Sequence, residues 1–435
     1  MSTDAVRRVR RADGPVIADV HVPPSKSIAN RALVCAALAD GRSQIRGLAP
    51  GDDTAAMLDG LRQLGVDVGV ERNDGVTVAH VDGCNGEVGP GPAELHTALA
   101  GTTSRFLTAM AALGAGPYTI DGDPPLRRRP MGPLHDALAA LGVHLEPGET
   151  WGHLPVTVTG PARGADGVVM PGDVSSQYVT ALMLIAPYLR RGLRLGLSTE
   201  LVSAPYVQIT KSVMEAFGAT DVEITPRRVH VGMGGYTAAE YTVEADASSA
   251  SYPLAAAAMV GGAVSVRGLG TSSLQGDSGF VDLLEQMGCT TVATGSDTVL
   301  MRRRDTPLRG IDVDMAEMSD LVPTLAVVAT QAVSATRIRG VGFIREKESD
   351  RLGDLAAELL KIGADVVVED DGLLVRPTDL LHSARLETHH DHRLAMAFGL
   401  LGLLVDGLEV ADPDVVSKSW PEYWQTLDAI PAHRG

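Results

Sequence analysis

The chain has 435 residues, with 37 Lys plus Arg against 54 Asp plus Glu and a formal charge of −17. That excess of acid excludes a general nucleic-acid binder, which needs a basic face against the phosphate backbone, so a cationic cluster here is a local device. At 45% hydrophobic and 21% charged, the composition is that of a folded globular chain of two or three domains and excludes a disordered one.

In chain order, Arg7, Arg8, Arg10 and Arg11 come first. Asp13, Gly14, Pro15 and Asp19 interrupt any apolar stretch behind them, so the run reads as a solvated basic arm and not as a secretory leader. Six Ala/Leu-rich runs then follow, each preceded by a polar, helix-capping cluster. The pairs are Ser25-Lys26-Ser27 before Ile28 to Ala39, Gly101-Thr102-Thr103 before Phe106 to Leu113, and Ser175-Ser176-Gln177 before Val179 to Leu189. Ser248-Ser249 precedes Tyr252 to Val260, Ser319-Asp320 precedes Val322 to Ala332, and Asp391-His392 precedes Leu394 to Val405. With Ser27, Thr102, Ser176, Ser248, Asp320 and His392 as markers, the spacings are 75, 74, 72, 72 and 72 residues, a repeat longer than the common solenoid modules.

After each run the pattern predicts a short strand, as at Ser43 to Leu48, Tyr118 to Asp121, Ala263 to Gly268 and Thr336 to Gly340, and then a second, amphipathic helix. Five of those helices stop at a glycine, namely Gly65, Gly142, Gly218, Gly288 and Gly363, the residue that takes the left-handed cap most cheaply. Hairpins are expected at Val66 to Val81, turning at Asn73-Asp74-Gly75, and at Ala364 to Arg376. Six such units do not fit one doubly wound sheet. A radial packing of two three-unit lobes does, with helices buried and small sheets wrapping them.

The caps carry the functional signal. A helix N-terminus offers free N–H groups and partial positive charge, so converging N-termini bind anions. Ser, Thr and Asp are also ordinary caps, and the cations beside them favour the functional reading. Lys26 and Arg31 flank the first cap, Arg105 follows the second, and Arg127, Arg128 and Arg129 precede a helix start at Pro130. Arg345, Lys347 and Arg351 surround Glu346, Glu348 and Asp350, either as a surface salt-bridge ladder or as part of an anion site. His392-Arg393 opens the sixth unit and Lys418 lies before Trp420-Pro421. Asp320 and Glu348, set among these cations, are candidate proton-transfer groups, with a helix cap and a surface pair as their ordinary readings. His389-His390-Asp391-His392 invites a metal reading, yet adjacent residues present no facial ligand set. Cys35, Cys84 and Cys289 are scattered and odd in number, which fits neither a disulfide framework nor a zinc knuckle and implies a reducing, cytoplasmic compartment. The longest apolar runs fall short of the roughly 20 residues that span a bilayer.

Quoted in order, Pro24-Ser25-Lys26-Ser27-Ile28-Ala29-Asn30-Arg31, Ala100-Gly101-Thr102, Arg129-Pro130-Met131-Gly132, Val174-Ser175-Ser176-Gln177, Val202-Ser203-Ala204-Pro205-Tyr206, Asp246-Ala247-Ser248-Ser249, Lys347-Glu348-Ser349-Asp350-Arg351-Leu352, Asp391-His392-Arg393-Leu394-Ala395-Met396 and Ser417-Lys418 form one pattern. Over nearly the full length it resembles the 5-enolpyruvylshikimate-3-phosphate synthase family of enolpyruvyl transferases. The resemblance implies a two-lobed inside-out α/β barrel of six repeated units, three per lobe. One lobe takes residues 1–24 and 244–435, the other 25–243, and the lobes close over the substrates. Shikimate 3-phosphate is implied at Lys26, Ser27, Arg31, Ser175, Ser176, Gln177, Ser203, Tyr206, Asp320 and Lys347. Phosphoenolpyruvate is implied at Lys26, Gly101, Arg129, Gln177, Arg351, Arg393 and Lys418. Asp320 would accept the hydroxyl proton, and Glu348, with Lys26, would deliver and remove the methyl proton. Neither metal nor organic cofactor is implied, and the partners are these two small molecules, with no nucleic acid and no membrane, acting on a monomer. The chain departs from the family pattern at Leu99, where an Asn is common, at Phe106, where a Pro is common, and at Phe343, where an Asn often contacts the sugar phosphate. The related transferase acting on UDP-N-acetylglucosamine carries a catalytic Cys that Gly122 to Pro133 lacks, with an Asn where Ser27 stands. A non-catalytic anion-binding scaffold would not need Asp320, Glu348 and the arginines together.

Overall fold

Why helices should be inside and sheets outside is visible in the burial of each element. In the computed structural model, which describes residues 5–73 and 75–430, every residue of the helix Ala247–Val260 is buried, as is every residue from Ile28 to Leu38 in Lys26–Leu38. A helix that is apolar all round has no face for water and goes to the centre. The strands instead alternate, as in Tyr118–Asp121 and Val156–Thr159, where every second side chain is buried.

The chain divides into two compact bodies, Pro24–Glu244 and the segments on either side of it, up to Pro23 and from Ala245. In the first, the helices Lys26–Leu38, Gly101–Ala111 and Ser176–Ile185 pack on one another; in the second, Ala247–Val260, Val322–Ala329 and His392–Gly402 do. Each body has its own core. Among the described residues there are five four-stranded sheets and one of three strands. In a four-stranded sheet, a central strand pairs in parallel with one neighbour and antiparallel with a hairpin. Thus Tyr118–Asp121 lies parallel to Ala93–His96 and antiparallel to Val156–Thr159, which pairs with His144–Pro147.

In four units the parallel pair is the strand before the central helix and the strand after it. Two units exchange this strand. Val16–His21, ahead of the first central helix, pairs with Gly262–Arg267, while Glu240–Thr242, ahead of the fourth, pairs with Asp40–Arg46. The exchange makes one body a continuous insert in the other.

The five glycine stops all have positive φ, from +84° at Gly363 to +109° at Gly288. The hairpins form as Asp67–Asn73 with Val76–Cys84 and Asp365–Glu369 with Gly372–Arg376, although Asp74 lies outside the described residues. Two expectations are corrected. The sheet of the sixth unit is completed by Val6–Arg8, antiparallel to Glu409–Ala411. The basic segment is therefore an edge strand in part, with Arg7 on Asp428 and Arg8 Nε donating to Glu409 Oε1 at 2.8 Å. Finally, among the six central helices side-chain caps are made by Ser175, Asp246 and Asp391; Asp320 lies in the short helical turn Ala316–Leu321, and its carboxylate is drawn instead to arginines. The tail beyond Ile430 lies outside the described residues. No described helix is long and apolar enough to cross a membrane.

Candidate active site

In the body Pro24–Glu244, the candidate residues gather at the N-terminal ends of its three central helices. Lys26 Nζ donates to Asp53 Oδ2 at 2.7 Å, and the Asp53 carbonyl accepts from Thr103 Oγ1 at 3.2 Å, which joins the first two helix starts. Arg105 reaches across to Gln177 Oε1, donates to Pro130 O at 3.4 Å and lies 5.2 Å over the Tyr178 ring. A Cβ on Gly101 would stand 2.4 Å from Arg129 Nη1 and 3.2 Å from Arg105 Nη1. A side chain there would have to displace the Arg129 guanidinium from that helix start, where the free N–H groups also favour an anion.

Of the three consecutive arginines, only Arg129 turns inward. Arg127 is held by Asp121, and Arg128 is exposed. Arg31 is 2% exposed, and its donors go to Thr210 Oγ1 at 2.9 Å, Ser27 O at 2.6 Å, Tyr206 O at 3.2 Å and Thr180 Oγ1 at 3.4 Å. Burial lowers its pKa to about 10, and the Phe106 ring lies 5.6 Å away. Arg31 thus fixes Ser27 and Tyr206 and does not present its charge outward. Ser175 caps Ser176–Ile185, accepting from Gln177 N, Ser176 is buried in the first turn, and Ser203 is buried in the left-handed region at φ +54°.

In the second body the candidates form one ion-pair network. Arg351, 1% exposed, donates from Nη1 to Asp320 Oδ1 at 2.8 Å, from Nη2 to Glu348 Oε2 at 2.7 Å and from Nε to Asp391 Oδ2 at 2.7 Å. Arg393 Nη2 holds Asp320 Oδ2 at 2.7 Å, Lys418 Nζ holds Glu348 Oε1 at 3.0 Å, and Lys347 Nζ is 3.6 Å from Asp320 Oδ1. Phe343 supports Lys347, its ring 5.9 Å from the ammonium. The turn carrying Glu348 and Arg351 is set by Asp350, whose Oδ1 accepts from Gly353 N at 2.9 Å where the next helix starts. The segment is therefore a buried hub rather than a surface ladder, and Arg345 stands apart from it, paired with Asp350.

Burial alone would disfavour ionised Asp320, but Arg393, Lys347 and Arg351 outweigh it and hold the carboxyl far below the usual range. Arg351 is buried too, and its three carboxylates push its pKa up. Beside them Asp277, whose Oδ2 accepts from Ser248 Oγ, is raised to about 6 by burial and by the Asp320 charge.

Sequence reasoning missed Asp53, Asp277 and Asp391 as partners of these groups. Asp53 lies in the first turn of Asp52–Gln63, where an acid is ordinary, Asp391 read as part of a cap, and Asp277 carries no local signal. The histidines take separate partners: His389 Nε2 meets Glu358 Oε1 at 2.8 Å, His390 faces Asp412, and buried His392 lies beside Asp391. Among the described residues no group of three His, Cys, Asp or Glu is placed to hold a metal ion.

The family model described as EPSP synthase (3-phosphoshikimate 1-carboxyvinyltransferase) matches residues 11–427. A Methanoculleus marisnigri protein named 3-phosphoshikimate 1-carboxyvinyltransferase is 41% identical over 416 residues, 95% of this chain and 97% of its own. A protein of the same name from a Shewanella species is 38% identical over 415 residues, 95% and 96% of the two chains. The solved EPSP synthase of Acinetobacter baumannii shares the fold, with a TM-score of 0.79 at 24% identity over 98% of both chains.

Proposed function

Because the chain belongs to the EPSP synthase (3-phosphoshikimate 1-carboxyvinyltransferase) family, we propose that its two basic clusters serve the two anionic substrates of the reaction it catalyses. It transfers the enolpyruvyl group of phosphoenolpyruvate to the 5-hydroxyl of shikimate 3-phosphate, releasing phosphate. In the addition step the hydroxyl oxygen bonds to the enol carbon, its proton leaves, and the methylene takes a proton to become methyl. In the elimination step the C–O bond to phosphate breaks and a methyl proton is lost.

The observation that carries the residue assignment is that Asp320 and Glu348 share Arg351, with Arg393 and Lys418 as outer partners. Two acids of separate environment beside dense positive charge suit a reaction with two proton transfers. Asp320 is the acceptor of the hydroxyl proton, and Glu348, with Lys26, handles the methyl proton. A carboxylate whose pKa is strongly depressed is a weak base. Anionic substrate engaging Arg393, Arg351 and Lys347 removes that depression, so Asp320 gains basicity when substrate arrives. Phosphoenolpyruvate is assigned to Arg351, Arg393, Lys418, Lys26, Gln177 and Arg129 over Gly101, where bidentate guanidinium groups and a helix start favour carboxylate and phosphate. Shikimate 3-phosphate is assigned to Ser27, Ser175, Ser176, Gln177, Ser203 and Tyr206, with Lys26, Lys347 and Asp320, Arg31 acting through Ser27 and Tyr206.

The protein is further read as a cytoplasmic monomer, to which its free cysteines are suited; light scattering that gives more than one chain per particle would refute the monomer. The test of the function is phosphate release on mixing both substrates, with each omitted in turn and a chelator present. Release that needs both and is lost in Asp320→Ala is expected. Absence of release, with UDP-N-acetylglucosamine accepted instead, would overturn the reading.

A further inference from the structure

We propose that Glu358 is a positioning residue for this reaction, acting through the Asp391–Arg351 pair; the inference rests on the function proposed above. Glu358 lies in the helix Gly353–Lys361 and is 2% exposed. A carboxylate taken out of water is retained only where donors replace its hydration. Here Lys361 Nζ donates to both oxygens at 2.8 and 2.7 Å, Glu387 N donates to Oε2 at 3.0 Å, and His389 Nε2 stands 2.8 Å from Oε1.

Two of these partners belong to the loop that leads into the sixth central helix. His389 and His390 in that loop are both left-handed, at φ +51° and +58°, a backbone that non-glycine residues keep only when their surroundings hold them. Glu358 grips the loop on both sides of Thr388, by the backbone at Glu387 and by the ring at His389. The loop ends at fully buried Asp391, whose N–H donates to Thr388 O at 2.8 Å. Asp391 accepts from Arg351 Nε and, at 2.9 Å, from Arg393 N. The helix bearing Glu358 begins two residues after Arg351. One carboxylate thereby fixes the segments at both ends of the Asp391–Arg351 pair. That pair in turn sets the plane of the guanidinium on which Asp320 and Glu348 sit. Glu358 touches none of the groups assigned to the chemistry.

The test is a double-mutant cycle in kcat/KM for phosphoenolpyruvate at saturating shikimate 3-phosphate, with thermal midpoints read on the same samples. Glu358→Gln removes the charge and, whichever way the amide is turned, sets an N–H against a Lys361 donor, and it is expected to lose about a hundredfold, the scale of a misplacement of about 1 Å at a reacting group. If Glu358 acts through Asp391, the double variant Glu358→Gln/Asp391→Asn is no slower than Asp391→Asn alone. Losses that multiply, as for a residue that only supports the fold, overturn the proposal, as does Glu358→Gln with wild-type kinetics. Should Glu358→Gln not fold, the cycle is run with His389→Ala, a half-buried position, under the same two outcomes. Wild-type turnover is the control: its absence removes the function and this inference together, whereas multiplied losses in an active wild type remove only the inference.

Discussion

Asp320 and Glu348 pair with the cationic groups proposed to hold the substrate anions. Glu348 is bound at 2.7 and 3.0 Å by Arg351 and Lys418, so a phosphate or carboxylate that engages these two cations as proposed has to displace it. Glu348→Gln is therefore expected to slow turnover about 10² to 10⁴-fold, the usual weight of a general acid–base group, while tightening inorganic phosphate about tenfold, the worth of one charge-assisted hydrogen bond no longer competed for. Glu348→Asp separates displacement from simple charge: it keeps the charge and shortens the reach, so it too should tighten phosphate in a titration calorimeter. Unchanged affinity in Glu348→Asp would rule displacement out. The candidate residues were legible because cations beside helix starts are conspicuous in a chain of charge −17. Their pairing was not, since Arg351 with Asp391 and Asp320 with Arg393 are joined across 40 and 73 positions by packing that local pattern does not encode.

At the scale of elements, what could be read was what local chemistry dictates. Each glycine stop was legible because a helix that ends left-handed needs a residue without a Cβ. The cost of replacing them should differ by site. At Gly142, φ +87°, a Cβ would meet only the Arg163 side chain, at 3.5 Å. Gly142→Ala should therefore cost roughly 1 kcal/mol, the penalty of the left-handed backbone alone. At Gly363, φ +84°, a Cβ would stand 2.5 Å from the Leu380 carbonyl oxygen, so Gly363→Ala adds a backbone clash and should be the more destabilising in a denaturant titration. Equal losses would show that the Leu380 carbonyl yields freely. The edge strand Val6–Arg8 was illegible for the opposite reason: its arginines read as a solvated run, and its partner, Glu409–Ala411, lies some four hundred residues away.

At the scale of the whole chain, a repeat of 72 to 75 residues announced six units but not the exchange of strands that divides them. Nothing local says that Glu240–Thr242 belongs with Asp40–Arg46 instead of with the strand after its own helix. The consequence is testable, because the exchange leaves the ends of each body adjacent. Ser25 N donates to Glu244 O at 2.8 Å within Pro24–Glu244, and Asp246 N donates to Pro23 O at 2.9 Å in the other. Pro24–Glu244 thus keeps three complete sheets, three mutually packed helices and a core of its own. Expressed alone, it should unfold cooperatively on heating and protect the amides of Ile28 to Leu38 from exchange, as a body that buries its own apolar surface does. It retains Lys26, Arg105 and Arg129 but lacks Asp320 and Glu348, so it should release no phosphate from the two substrates. A broad, non-cooperative melt with unprotected central-helix amides would mean that the division by contacts is not a division in stability.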